Sequence, residues 1–231
     1  MHPSVEPALF PFFREFEGVR QQMYVDGRGL VTIGVGFMIE PVEVAVSLGL
    51  QNWYRLAGSS GPVTRDALAD EIREVKSRDP SYQRQFGLRA DAMGPLCVAE
   101  ARRREHFLVQ LFPDFATYPA DAQMGIFCVS WLRSSIAGMM GEFPNFVAHC
   151  RARDFRSAGP ESLWAAIRDA TGDILDPVSG RRVRRRHAQL RMFYNAGAIE
   201  DANRRSPGSA PIERLWYPYM APQLAAATFG T

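Results

Sequence analysis

The sequence predicts an α+β protein, mainly α, on three observations. Apolar residues recur at helical spacing along most of the chain, and only two short β-prone runs stand out, both near the N-terminus. The 231 residues are enough for one large domain or two lobes with a sizeable core. Hydrophobic residues make up 46% and charged residues 23%, the balance of a folded globule and not of a disordered chain.

The first helix is expected over 7–16, where Leu9, Phe10, Phe12, Phe13 and Phe16 form one apolar face, with Glu17 on its last turn and Gly18 as the stop. A β-hairpin follows, because Met23-Tyr24-Val25 and Leu30-Val31-Thr32-Ile33 flank Asp26-Gly27-Arg28-Gly29. Helical segments are expected over 42–50 and 53–56, then a break at 58–62. Thr64 stands where a hydroxyl caps a helix running to about Ser77. Asp79-Pro80 ends that helix, and 81–92 reads as irregular. Further helices are expected over 96–111, 120–132, 143–150, 160–170 and 181–195, the last stopped near Gly197. The tail from 203 to 231 carries Trp216, Tyr217, Tyr219 and Phe229, too many aromatics for a free linker, so it is expected to pack on the body. The expected organisation is an N-terminal lobe over 1–95 with a helical insertion at 42–92, a bridging helix and helical lobe over 96–197, and a C-terminal extension over 198–231.

Composition narrows the function classes. No stretch approaches about 18 uninterrupted apolar residues, so no membrane-spanning helix and no membrane insertion are expected. The N-terminus has no basic leader before its apolar run, so no signal peptide is expected and synthesis in the cytoplasm follows. Cys97, Cys128 and Cys150 are odd in number and far apart, which reads as buried thiols. The four histidines pair with no cysteine at a zinc-like spacing, so neither metal nor cofactor is expected. Net charge is +2, yet Lys76 is the sole lysine among 27 basic residues, and 181–186 holds five arginines. That run is a solvated helix face on the bland interpretation and a phosphate-binding helix on the sharp one, and no nucleic-acid partner is expected.

The informative segment is 17–36. Across a hairpin, Asp26 and Thr32 share a face if the turn adds no bulge, and Glu17 overhangs from the preceding helix end. Two unlike carboxyls beside a hydroxyl suit glycoside hydrolysis, in which one acid protonates the leaving oxygen while the other activates water or attacks. Glu17, shielded by Phe13 and Phe16, is expected to keep its proton, and Asp26 in a wetter turn to stay ionised. Taken singly, each residue has an ordinary explanation: a helix-end acid, a favoured turn and a β-branched strand residue.

Glu17, eight residues, Asp26, five residues and Thr32, framed by Gly18, Tyr24, Gly29, Ile33, Gly34 and Gly36, resembles the active-site signature of the phage-type lysozymes, muramidases that cut peptidoglycan glycan strands. The run from Arg185 to Gly197 is similar to the family's late helix, and 101–132 to its connecting and buried helices. The resemblance implies a lysozyme-like two-lobed fold with a groove between the lobes. It implies Glu17 as general acid, Asp26 as base or electrostatic partner and Thr32 as the residue that positions water. Gly34, Phe37 and Arg185 are its cleft residues, Arg185 facing the acid, and the anomeric carbon is inverted. The partners it implies are peptidoglycan strands and, as further candidates, an immunity or delivery protein. The chain is expected to be a monomer acting in the periplasm or on the cell wall after release or delivery, as an endolysin, a tail lysozyme or an injected toxin. Three departures stand out: Phe37 replaces a His, Gln189 replaces a Glu, and Cys128-Val129-Ser130-Trp131 stands where Asn-Val-Gly is typical. Compact members lack a segment as long as 42–92 and often end near the equivalent of Gly197. The rival from another class is a non-catalytic wall-binding or tail-structural protein of the same fold.

Overall fold

A computed structural model describes residues 1–56, 61–79, 81–131, 138–163, 167–168, 174–175 and 184–217. The chain is mainly helical with a small antiparallel sheet. It forms two compact units, one of residues 10–100 and one of residues 1–9 with 101–231.

In the sheet unit, α1 (Glu6–Phe16) buries Phe12 and Phe13 and leads into β1 (Arg20–Val25), β2 (Val31–Gly34) and β3 (Phe37–Met38). After α2 (Val42–Ser47) comes β4 (Trp53–Arg55), then α3 (Arg65–Ser77) and β5 (Phe86–Leu88). Thr64 Oγ1 accepts from Ala67 N at 3.2 Å, the cap expected from the sequence. The sheet has five strands in the order β3-β2-β1-β5-β4, not the two or three of a lone hairpin. Two expectations are corrected here. Residues 53–55 are a strand and not a helix, and the stretch 81–92 holds β5 and the start of α4 (Ala90–Leu111). Both strands are three residues long; they pair with each other across some thirty residues, and β5 pairs with β1 across more than sixty, so no local pattern announces them.

Alternation decides which side chains face the core. Gln22 stands opposite Gly87, and Gly87 opposite Tyr54, so these three share one face. Met23, Trp53, Phe86 and Leu88, one residue out of step, are buried. The inner face of α3, with Leu68, Ile72 and Val75, is buried with them. Glu71 on that face is also buried and accepts from the amides of Gln85 at 3.1 Å and Phe86 at 3.3 Å, which fixes the entry to β5.

The helical unit is built around α5 (Ala120–Trp131), every residue of which is buried. Phe112, Phe115, Tyr118, Phe127, Phe146 and Phe193 meet in edge-to-face pairs, with ring centroids 5.5–6.4 Å apart. The remaining elements are α6 (Gly138–Glu142), α7 (Pro144–Arg151), α8 (Phe155–Glu161), the two-residue strands β6 (Ile167–Arg168) and β7 (Ile174–Leu175), and α9 (Arg184–Arg205). The helix expected over 160–170 is thus replaced by α8, which begins at the Asp154 cap (Oδ1 to Ser157 N, 3.2 Å) and ends at Glu161. Residues 57–60, 80, 132–137, 164–166, 169–173, 176–183 and 218–231, on which parts of the expected break at 58–62, the Asp79-Pro80 stop, the helices over 120–132, 160–170 and 181–195 and the tail fall, lie outside the described residues.

Nor does Gly197 stop the last helix, which runs on to Arg205. A Cβ there would lie 2.5 Å from Arg156 Cγ and 3.3 Å from its backbone N, so this glycine serves the close approach of α9 to α8. Gly197→Ala is expected to destabilise the protein by about 1–3 kcal/mol, the range for overpacking a close contact, read as a lower midpoint in chemical denaturation. A midpoint unchanged would mean that Arg156 moves aside at no cost.

The first nine residues belong with the helical unit. The N-terminal amine pairs with Glu105, His2 N donates to Gln123 Oε1 at 2.7 Å, and Arg102 grips Glu6 through Nε and Nη2 at 2.9–3.1 Å. The unit boundaries therefore fall inside α1 and α4 and not at residue 95. Residues 206–217 fold back on α9: Ile212 and Trp216 pack on Ile199, Ala202 and Ala210, and Ala120 N donates to Ile212 O at 2.7 Å. Cys97, Cys128 and Cys150 are buried, and the sulfurs form no disulfide among the described residues.

Candidate functional site

The hairpin that carries the signature turns through a three-residue loop. Asp26 N donates to Leu30 O at 2.9 Å and Gly29 N to Asp26 O at 3.1 Å, with Gly29 at φ 81°, a conformation that favours glycine. Register then runs Val25↔Val31 and Tyr24↔Thr32, which puts Tyr24 and Thr32 on one face and gives Asp26 the same parity. The bulge in β1 falls between Arg20 and Tyr24, outside the span from Asp26 to Thr32.

Asp26 is part of the turn itself. Its Oδ1 accepts from the amides of Arg28 at 2.8 Å and Leu30 at 2.9 Å, while Oδ2 lies 3.5 Å from Arg28 Nε. The side chain is 20% exposed and borders a groove of about 700 Å3 with Tyr24, Val75, Arg78, Asp79 and Arg84. Thr32 is 3% exposed, and its hydroxyl donates to Leu30 O at 3.2 Å, so the lone pairs of that oxygen remain as acceptors.

Glu17 follows the end of α1, its amide bonded to Phe13 O at 2.8 Å. The shielding expected of Phe13 and Phe16 is corrected: Phe13 turns fully into the core and Glu17 is exposed. A helix end presents its next residue to solvent unless another element covers it, and the apolar face of α1 points away from it. Gly34 and Phe37 are likewise not cleft residues. Phe37 is 6% exposed, and its ring occupies the space beside Gly34, where a Cβ would lie 2.7 Å from Phe37 Cδ2. The Phe37 ring is thus core packing. Arg185 lies half-buried at the start of α9 in the helical unit, whereas Glu17, Asp26 and Thr32 all belong to the sheet unit.

The residue that gathers the site is Tyr24. Arg20 stacks on its ring at 4.4 Å from the centroid. Burial pushes its phenol above the ordinary value, the Arg20 guanidinium opposes that, and the negative charges of Glu17 and Asp26 both add to it. The sequence marked Tyr24 only as a framing residue and missed Arg20. It also missed Tyr54, Tyr82 and Arg84, which border a second groove alongside Tyr24. The alternation Trp53-in, Tyr54-out was the available signal, hidden by the shortness of β4.

Among the described residues, no group of three or more His, Cys, Asp or Glu side chains is placed to hold a metal ion, and no helix is long and apolar enough to cross a membrane. Comparisons with known proteins find no matching family model, no matching curated protein and no matching solved structure.

Proposed function

We propose that this protein is a peptidoglycan-degrading muramidase of lysozyme-like fold, hydrolysing the β-1,4 bond between N-acetylmuramic acid and N-acetylglucosamine. The observation that carries the proposal is the hairpin register within the full signature: Tyr24 stands opposite Thr32, and Asp26 follows at the same parity at the turn, on the rim of a groove. Glu17 donates the proton to the leaving oxygen. Asp26 takes a proton from water on the other side of the sugar, while Thr32, 3% exposed and bonded to Leu30 O, braces the strand beside it. Because Oδ1 of Asp26 is committed to two amides, the oxygen that receives the proton is Oδ2, and Arg28 gives it up. Arg28 is half exposed, and a surface pair of this kind is worth about 0–1 kcal/mol, so its displacement costs little. The protein acts on the cell wall after release or delivery.

The test is to incubate the protein with isolated peptidoglycan and to measure new reducing sugar ends against new amines. Reducing ends are expected, and their absence with intact wall material refutes the proposal. Asp26→Asn separates chemistry from architecture, since its remaining oxygen still accepts from Arg28 N and Leu30 N. Its thermal midpoint is expected to stay close to the parent's, while turnover falls by about 10²-fold or more through loss of the general base.

One observation favours a second candidate, a wall-binding or tail-structural protein without turnover: Asp26 is already occupied as a turn residue and Glu17 is exposed. For that protein, wall material is bound, no reducing ends appear, and Asp26→Asn changes nothing.

A further inference from the structure

We propose that the sheet face bearing Tyr54, with Tyr82, Gln22, Arg20 and Arg84 around it, is a second binding site for the substrate strand, specific for an anionic amino-sugar polymer. The identity of the strand rests on the muramidase proposal above. This groove, of about 620 Å3, shares Tyr24 and Arg84 with the groove that Asp26 borders, so the two are contiguous. Its volume lies within the range of small-molecule and oligomer sites.

Three features give the groove its chemistry. First, Tyr54 lies flat on the sheet because Gly87 stands beneath it. A Cβ at Gly87 would be 2.7 Å from Tyr54 Cζ and 2.8 Å from its hydroxyl oxygen. An aromatic ring held flat presents its face to the apolar C–H surface of a sugar. Second, the surrounding side chains are already positioned. Arg84 donates to Met23 O at 3.3 Å and Tyr82 O at 3.1 Å. Little ordering entropy is then lost on binding. Third, Arg20 and Arg84 form no ion pair among the described residues, and a guanidinium suits a carboxylate. Muramic residues carry a carboxylate on the lactyl group or through an attached peptide, and the intervening sugars are neutral.

That spacing of charge favours a glycan over single-stranded nucleic acid, which also combines with tyrosine and arginine. A phosphodiester carries a charge at every nucleotide, and the contiguous groove presents Asp26 and Asp79 to it. The role of 42–92 follows: this segment supplies both β4 and β5, the platform that widens β1 into a binding face.

The experiment uses the full chain carrying Glu17→Gln and fluorescent, peptide-free glycan strands, with binding read by anisotropy and folding by thermal midpoint. Tyr54→Ala in that background is expected to weaken binding about tenfold, the equivalent of about 1.4 kcal/mol, while Tyr54→Phe keeps the ring and the affinity. Gly87→Ala, which displaces the ring without removing it, is expected to act in the same direction should Tyr54→Ala unfold. Chito-oligosaccharides of equal length, lacking the carboxylate, are expected to bind less tightly. Binding of Tyr54→Ala and Gly87→Ala within about twofold of their parent overturns the site, as does tighter binding of oligothymidylate than of the glycan. The binding measurement needs no turnover, so a failure of the muramidase proposal shows separately, as absence of reducing ends from the unaltered protein.

Discussion

Replacing Glu17 by Gln is expected to reduce the release of reducing ends from peptidoglycan by about 10²–10⁴-fold, the range that a positioned general acid contributes, while leaving the fold intact. The two halves of that expectation have different sources. The loss of activity follows from removing the only proton in the proposed mechanism that can neutralise the leaving alkoxide. Preservation of the fold follows from position: Glu17 is exposed just past the end of α1, and exposed substitutions usually change stability by no more than about 0.5 kcal/mol. Since the protein itself leaves Glu17 in contact with water, the exclusion of water at the moment of proton transfer falls to the bound sugar. Circular dichroism and the thermal midpoint check the fold; a reducing-end assay checks the chemistry. A variant that cleaves as fast as the parent overturns the assignment of Glu17.

Removing the Asp121 carboxylate is expected to have the largest effect on stability. This residue of α5 is 0% exposed and accepts from Asn195 Nδ2 at 2.9 Å, Trp216 N at 2.7 Å and Tyr217 N at 3.1 Å. It therefore ties together the central helix, the last helix and the returning tail. Asp121→Ala leaves the fully buried Asn195 amide without this acceptor and frees the two tail amides, at a cost of about 2–4 kcal/mol at neutral pH. The same residue gives stability a pH dependence. Burial pushes its carboxyl up to about 6, above the value near 3.8 of an exposed aspartate. Between those values the folded chain holds a proton that the unfolded chain has lost. Stability from this group is thus fully present below the lower value and declines as pH rises through about 6, by a total on the order of 3 kcal/mol. Glu71, also raised by burial, contributes in the same direction. Denaturant titrations at pH 4, 5, 6 and 7 are expected to show the slope in the parent and a shallower one in Asp121→Ala. An unchanged slope would assign the effect to another group.

Both predictions concern carboxylates, yet only one was legible beforehand. Glu17 and Asp26 stand in a dense frame of glycines, Tyr24 and Thr32, and such a frame is local: a hairpin and the helix end before it are fixed by residues close in sequence. Asp121 lies in an apolar run with nothing to mark it, and its three donors come from residues more than seventy positions away. The same division holds for the platform. Trp53-Tyr54-Arg55 and Phe86-Gly87-Leu88 are too short to read as strands, and their character comes from pairing with each other and with β1.

Gly197 and Gly29 make the contrast at single residues. Gly29 was expected in a turn and is there with a positive φ, because the demand is set by its own backbone. Gly197 was expected to end a helix, and instead it makes room for Arg156 of a neighbouring helix.

By itself, the sequence determined the helical majority, the hairpin with its carboxylates, the Thr64 cap and the buried thiols, since period, turn chemistry and capping act over a few residues. Only the tertiary structure decided that the sheet has five strands, that Glu17 is exposed while Phe37 is core, and that Tyr54 lies flat over Gly87. Those outcomes depend on which distant segments share a surface, and long-range packing is written in no single stretch of chain.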